Sequence, residues 1–218
     1  MKNFKTIFLP LAITIILSFA GCVQSQDPSK SVLNIQPRIV QNYKPEEKAK
    51  VLAGLKDAAQ KEDSEKFATL LAQIYERGLQ GDSDFVKTES ALYVKGTEYF
   101  EEGLTDQAYK MANTIHSKVF ESWRFKYLKI RCLERYGNQA LEKKDYAKAK
   151  DYAQQILQIE YRPEGANLMA KIAIQEAQAA LKKNDQAAAR AALMVTSEME
   201  IDPAFRKQID EMMKSLGN

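Results

Sequence analysis

The chain has few of the residues that catalysis and metal binding require. It contains one histidine and two cysteines among 218 residues, too few for the usual zinc clusters of His and Cys. It also has no G-x-S-x-G, G-x-x-x-x-G-K-[ST] or G-x-G-x-x-G motif, so the common signatures of hydrolases and of nucleotide binding are missing. His116 falls in the last turn of a predicted helix, where a cation is favourable for structural reasons alone. The sequence therefore predicts no enzyme, no metal site and no cofactor.

An excess of charge of one sign is also lacking. The formal net charge is +3, from 32 basic and 29 acidic residues. Two of the basic residues, Lys2 and Lys5, lie in an N-terminal segment that we expect to be removed, which leaves 30 basic residues against 29 acidic ones. So balanced a chain gives no large-scale electrostatic reason to expect nucleic acid or an anionic membrane as a partner.

Glycine and proline are sparse, at nine and six residues, and fall mostly in turns or near the N-terminus. Together with abundant Ala, Lys, Glu, Gln and Leu, this composition predicts an all-α fold. Apolar periodicity and turn signals predict nine helices. Their expected ranges are 45–60, 64–77, 84–102, 105–117, 120–143, 146–159, 164–182, 185–199 and 203–216.

One sequence pattern occurs in four copies along the chain, at spacings of 40, 41 and 40 residues. Its anchors are Ala68, Ala108, Ala149 and Ala189, each placed early in a predicted helix that follows a short polar turn. Two amphipathic helices per period of this length are typical of helical solenoids, which bind partners and seldom transform them. Small residues are needed because two helices approach closely only where their side chains are small.

The second copy carries a resemblance to tetratricopeptide repeats. Gly96, Tyr99, Gly103 and Ala108 follow that family's order of a small residue, an aromatic, a turn residue and an alanine. The resemblance covers residues 50–203, although the period is 40 or 41 instead of the usual 34. It implies a right-handed solenoid of helical hairpins over residues 44–218. The last helix, 203–216, would cap the apolar face of the final repeat.

The resemblance also implies a binding surface. In such folds the first helix of each pair lines the concave side, which fits an extended peptide or a partner's helix. The register places nine residues there: Tyr93, Thr97, Phe100, Arg131, Glu134, Asn138, Lys171, Ile174 and Gln178. One aromatic and one thiol side chain outside this set also need an interpretation. We expect Trp123 to pack in the core rather than act as an aromatic platform, and Cys132 to be a small buried hydrophobe.

The N-terminus predicts export. Lys2 and Lys5 precede an apolar stretch of 14 residues, 7–20, which is short for a transmembrane helix and reads as a signal peptide over residues 1–21. The end of this segment, SFAGC, resembles the lipobox of bacterial lipoproteins, which implies that Cys22 is lipidated. Cleavage after Ala20 by the ordinary small-x-small rule is the alternative. Residues 22–43 are rich in Gln, Ser and Asn and predict a flexible tether.

These expectations describe a lipid-anchored cell-envelope scaffold that binds a protein or peptide partner. Val23 follows the cysteine in place of the aspartate that signals inner-membrane retention in many such lipoproteins, so the resemblance implies the outer membrane, facing the periplasm. The alternative function is a small-solute binder or transporter accessory. A peptide partner predicts an open groove of mixed polarity, whereas a solute predicts a closed apolar cavity with few polar groups.

Overall fold

The computed structural model describes residues 43–160 and 163–217, which belong to one compact unit, Arg38–Asn218. Nine α-helices and no strands occupy these residues, so the all-α class is confirmed. The helices are α1 Pro45–Gln60, α2 Ser64–Glu76, α3 Ser83–Glu101, α4 Thr105–Lys118, α5 Trp123–Glu142, α6 Tyr146–Ile159, α7 Pro163–Leu181, α8 Gln186–Met194 and α9 Pro203–Ser215. None of the described helices has the length and apolarity that crossing a bilayer requires.

The predicted signal peptide, the lipidation site Cys22 and all of the predicted tether except Tyr43 lie outside the described residues. The first described residue, Tyr43, lies two positions before the first helix. From there to residue 217 the predicted helices match the observed ones closely, with two exceptions at α5 and α8 that are described below.

Aspartates cap the starts of five of the nine described helices. The side chains of Asp63, Asp145 and Asp185 accept a hydrogen bond from the backbone N–H three residues later, at the start of α2, α6 and α8. Asp82 and Asp202 cap α3 and α9 by accepting from the N–H two residues later. Such caps satisfy backbone donors that have no partner inside the helix, and each contributes about 1 kcal/mol.

The turns inside the four hairpins share one backbone geometry. A residue with positive φ precedes the next helix in each: Glu62, Gly103, Lys144 and Asn184, with φ between 55° and 82°. The residue after it donates its N–H to a carbonyl five positions earlier, as Asp145 does to Ala140 at 2.9 Å. The 40-residue period of the sequence therefore corresponds to a repeated turn in the structure.

Helices pack mainly against their neighbours in sequence. Each first helix also contacts the next first helix, in the pairs α1–α3, α3–α5, α5–α7 and α7–α9, and α2 contacts α4. The four alanine anchors are all fully buried. Glycines permit the close approach of successive first helices. A Cβ added to Gly96 would lie 2.7 Å from Leu128 Cδ2, and one added to Gly137 would collide with Leu168.

The last helix, α9, packs on the final hairpin, α7 and α8. Ile209 of α9 is buried in one cluster with Ile174, Ala177 and Leu193 of the final hairpin. Phe205, Met212, Met213 and Leu216 pack around the same cluster. The apolar face of α9 and the apolar face of the last hairpin therefore remove each other from water.

Two predicted boundaries are wrong. Helix α5 begins at Trp123 instead of residue 120, because Ser122 takes the N-cap position and leaves Phe120 in the preceding loop. Helix α8 ends at Met194 instead of residue 199. There the chain leaves the helix through turns, in which the Thr196 hydroxyl donates to the carbonyl of Leu193 at 2.9 Å. A side-chain bond of this kind competes with continuation of the helix.

Candidate functional site

A recess of about 500 Å³ lies where the end of α3 meets the second half of α5. Here it is called the α3/α5 recess. It is lined by Phe100, Arg131, Glu134, Arg135, Asn138, Gln139 and Glu142. Four of the nine residues predicted for the groove, from two different repeats, thus share one surface.

Phe100 forms the floor of the α3/α5 recess. Its side chain is only 5% exposed. Two guanidinium groups stand over its ring, Arg131 at 4.3 Å and Arg135 at 3.5 Å from the ring centroid. Such cation–π contacts hold the guanidinium groups in place and stabilise them. Phe100 was predicted to line the groove, and it lies in the lining of the recess, largely beneath the two arginines.

Further polar contacts orient the two arginines. Arg131 Nη2 lies 2.7 Å from Glu101 Oε1. Arg135 Nη1 donates to the Phe100 carbonyl oxygen and lies 3.4 Å from Thr105 Oγ1. Because each guanidinium has five N–H donors, these contacts leave others free to bind a ligand. The recess therefore presents fixed positive groups beside the carboxylates of Glu134 and Glu142.

A hydrogen bond links the lining of the recess to α7. Lys171 Nζ of α7 donates to Asn138 Oδ1 of α5 at 3.4 Å, and the Asn138 amide donates to the Glu134 carbonyl at 3.0 Å. Lys171 Nζ also lies 6.0 Å from the Phe205 ring centroid of α9. Gln178, another predicted groove residue on α7, is exposed. The structure thus brings Asn138 and Lys171 into contact.

Tyr93, a predicted groove residue in the middle of α3, belongs to a group of aromatic side chains. The Tyr93 ring is 6.3 Å from Trp123 and 6.1 Å from Phe125, measured between centroids. Thr97 donates its hydroxyl to the Tyr93 carbonyl at 3.0 Å, so its hydrogen bond is satisfied within its own helix. The expectation that Trp123 packs in the core is wrong: it is 56% exposed, with the Arg124 guanidinium 4.7 Å from its ring centroid.

Ile174 requires a correction. It was predicted to line the groove, but it is only 6% exposed and belongs to the cluster that α9 closes. The helix that caps the last hairpin covers this position of α7. Ile174 is therefore part of the core and has no surface to offer a partner.

Histidine and cysteine are both buried. Burial and the nearby charges of Lys129 and Lys126 lower the pKa of His116 to about 4. Burial raises the pKa of the Cys132 thiol to about 12, and the residue is fully buried, as predicted. His116 is therefore neutral near pH 7 and is not the helix-end cation that its position suggested. Neither residue offers an accessible nucleophile or base at that pH.

A buried carboxylate joins three helices near the start of α5. Glu89 of α3 is 2% exposed. It accepts from Ser122 Oγ at 2.6 Å, from the Tyr75 hydroxyl at 3.4 Å and from Arg124 Nη1 at 3.4 Å. A buried charge with this set of donors is satisfied, and we interpret it as structural.

Sequence reasoning missed Arg135, Gln139 and Glu142. Arg135 follows Arg131 by four residues, and Glu142 follows Asn138 by four, so helical spacing alone places them on neighbouring positions of one face. Among residues 43–160 and 163–217, no group of three His, Cys, Asp or Glu side chains could hold a metal ion. No family of known proteins, no curated protein and no solved structure matches this chain.

Proposed function

We propose that this chain is a lipid-anchored scaffold of a bacterial cell envelope, which holds protein or peptide partners on the face formed by its first helices. In this proposal residues 1–21 direct export and Cys22 carries the lipid. Residues 22–43 tether a right-handed, tetratricopeptide-like solenoid, and the outer membrane is its location, on the periplasmic side. Binding, and not catalysis, is the assigned activity.

Two features support the solenoid arrangement. The four hairpin turns repeat one left-handed residue and one backbone hydrogen bond. The first helices contact one another in succession, from α1 through α9. A stack in which each hairpin packs on the next is the expected result of such contacts, and it buries a continuous core.

The observation that carries the binding proposal is the α3/α5 recess. Two arginines are held in place over an aromatic floor, beside two glutamates and the Asn138 amide. Interface energy is concentrated in anchors of this type, with arginine among the most frequent. Because these side chains are ordered before a partner arrives, less conformational entropy is lost on binding. An extended peptide with both acidic and amide groups would suit such a surface.

The character of the recess favours a peptide over a small solute. Its lining is mostly charged or amide side chains, and only Phe100 is apolar. A solute site is expected to be closed and lined mainly by apolar groups. The solute-binding alternative therefore has less support than the peptide scaffold.

Charge reversal in the recess tests the proposal. Envelopes would be solubilised in detergent, and partners captured on the tagged protein would be identified by mass spectrometry. We expect Arg131→Glu to lose a partner that the unchanged protein retains. Lys148→Glu is the matched control, because Lys148 is exposed on α6, away from the recess. Capture that is equally strong with Arg131→Glu, in a variant that melts normally, would contradict the assignment.

The anchor is tested separately. Metabolic labelling with palmitate should mark the protein, and Cys22→Ser should abolish the label and release the chain to the soluble fraction. A variant that stays with the membrane, together with an unlabelled parent, would show that Cys22 is not lipidated.

A further inference from the structure

The loop between α4 and α5, residues 119–122, presents an unusual pair of aromatic side chains. Phe120 in the loop is 63% exposed, and Trp123, the first residue of α5, is 56% exposed. They are the only exposed aromatic side chains among the described residues. Here they are called the aromatic pair. Large apolar side chains that remain in water at one place on a fold indicate a contact surface.

The aromatic pair lies near the point where the chain enters the folded unit. Tyr43, two residues before α1, packs under Arg77, whose guanidinium is 4.1 Å from the Tyr43 ring centroid. Arg77 is the C-cap of α2, and the last residue of the helix, Glu76, lines a recess together with Phe120 and Lys118. The entry point and the loop therefore lie on the same side of the fold, at the end of α2.

Contacts between helix starts support this placement. Lys48 of α1 pairs with Asp82, the cap of α3, at 2.8 Å. Ser122, the cap of α5, bonds Glu89 in the second turn of α3 at 2.6 Å. Helices α1, α3 and α5 thus begin at one edge, and residues 119–122 form part of that edge. The turns inside the hairpins, including the one that holds Leu104, lie at the opposite ends of these helices.

Basic side chains flank the aromatic pair. Lys118 precedes the loop, and Arg124 and Lys126 follow it. Each also contacts a glutamate: Lys118 meets Glu65 at 2.6 Å, Arg124 meets Glu89 at 3.4 Å and Lys126 meets Glu160 at 3.1 Å.

The edge thus combines an indole, a phenyl ring and cationic groups without a large net charge. Tryptophan with neighbouring Lys and Arg is typical of the interface between water and lipid headgroups.

We propose that this edge rests on a lipid surface, with Phe120 and Trp123 placed at the level of the headgroups. For its geometry the inference rests on the proposed anchor at Cys22. Residues 23–42 can extend to roughly 70 Å at most, and they join the fold at the same edge, so nothing in their length prevents this edge from returning to the bilayer. Glu121, between the two aromatics, limits the contact to the headgroup layer.

Trp123 is the only tryptophan of the chain, so its fluorescence reports this edge alone. Residues 23–218, which lack any lipid, would be titrated with vesicles of phosphatidylethanolamine and phosphatidylglycerol. This piece contains every described helix and all the core clusters. We expect the emission to shift to the blue and to be quenched by lipids with brominated acyl chains.

Phe120→Ser should weaken vesicle binding about tenfold, the factor expected when one large apolar side chain no longer leaves water. Leu104→Ser is the matched control, because Leu104 is also exposed, at 42%, but lies at the opposite edge. It should bind as the parent does. Equal binding by Phe120→Ser, or no change in emission at any lipid concentration, would overturn the inference.

Loss of a captured protein with Phe120→Ser, without any response to vesicles, would assign the edge to a protein partner and would equally overturn it. The anchor fails independently. If palmitate labelling is absent while the lipid-free chain binds vesicles, the lipid contact stands without the anchor. If labelling is present and vesicles have no effect, only the edge inference is lost.

Discussion

His116 should make the stability of this protein depend on pH. The side chain is 6% exposed, and its Nε2 atom has no hydrogen-bond partner. The Phe120 ring packs against it at a tilt of 45°, with 5.2 Å between ring centroids, and the ammonium groups of Lys129 and Lys126 on α5 raise the positive potential around it. Protonation would therefore place a charge in a site that neither water nor an anion stabilises.

The magnitude follows from the pKa. The folded protein lowers the pKa of His116 from 6.5 to about 4, so the unfolded chain binds the proton first as pH falls. Folding stability contributed by the neutral imidazole is complete above pH 6.5 and is lost between 6.5 and about 4. Over the full window it amounts to roughly 3 kcal/mol, and about 2 kcal/mol is gone at pH 5.

Urea unfolding measured by circular dichroism at pH 7.5 and pH 5 tests this reasoning. The parent should lose about 2 kcal/mol more than His116→Gln does between the two pH values, because glutamine does not titrate. Carboxylates that begin to titrate near pH 5 are common to both proteins and cancel in the difference. An identical loss in the two proteins would refute the claim that His116 is held neutral by the fold.

The remaining predictions concern packing, the buried carboxylate and the thiol. Ala149→Leu should overfill a fully buried position and lower the unfolding free energy by about 1–3 kcal/mol, whereas Lys148→Leu at an exposed neighbour should change it little; equal melting temperatures would refute the proposed register. Glu89→Ala should cost about 3–5 kcal/mol in urea unfolding, because it leaves Arg124 without its buried partner, and Glu89→Gln should cost less since the bond to Ser122 survives. Cys132 should react with a thiol reagent at pH 8 only as fast as the protein unfolds, and rapid labelling of the folded protein would show that the residue is accessible.

Helix positions could be predicted from the sequence because their signals are local. Asp63, Asp145 and Asp185 cap helices whose apolar periodicity begins right after them, and the structure confirms each start within a residue. The end of α8 was missed for the same reason. The Thr196 hydroxyl donates to the Leu193 carbonyl, and this bond competes with the backbone hydrogen bonds that would continue the helix. Helical periodicity in the sequence does not reveal which of the two forms.

Exposure at the site was harder to predict, because it depends on which element covers a position. Ile174 has the register of a groove residue, but α9 packs on it. Trp123 has a large apolar side chain of the kind usually found in a core, but it begins a helix at an edge that no described helix covers. Asn138 and Lys171 were both assigned to the groove face of adjacent first helices, and these two helices contact each other directly, which brings the two side chains within hydrogen-bond distance.

The nearest-neighbour pattern of helix contacts has a consequence for how the chain is made. Most helix contacts join elements no more than two apart in sequence, so each hairpin can acquire structure as soon as the next one emerges during synthesis. Only the last step is different. Until α9 arrives, Ile174, Ala177 and Leu193 lack the apolar surface of Ile209. A chain cut short before residue 203 would display that unburied face, which is the feature by which proteases and chaperones distinguish unfinished molecules from finished ones.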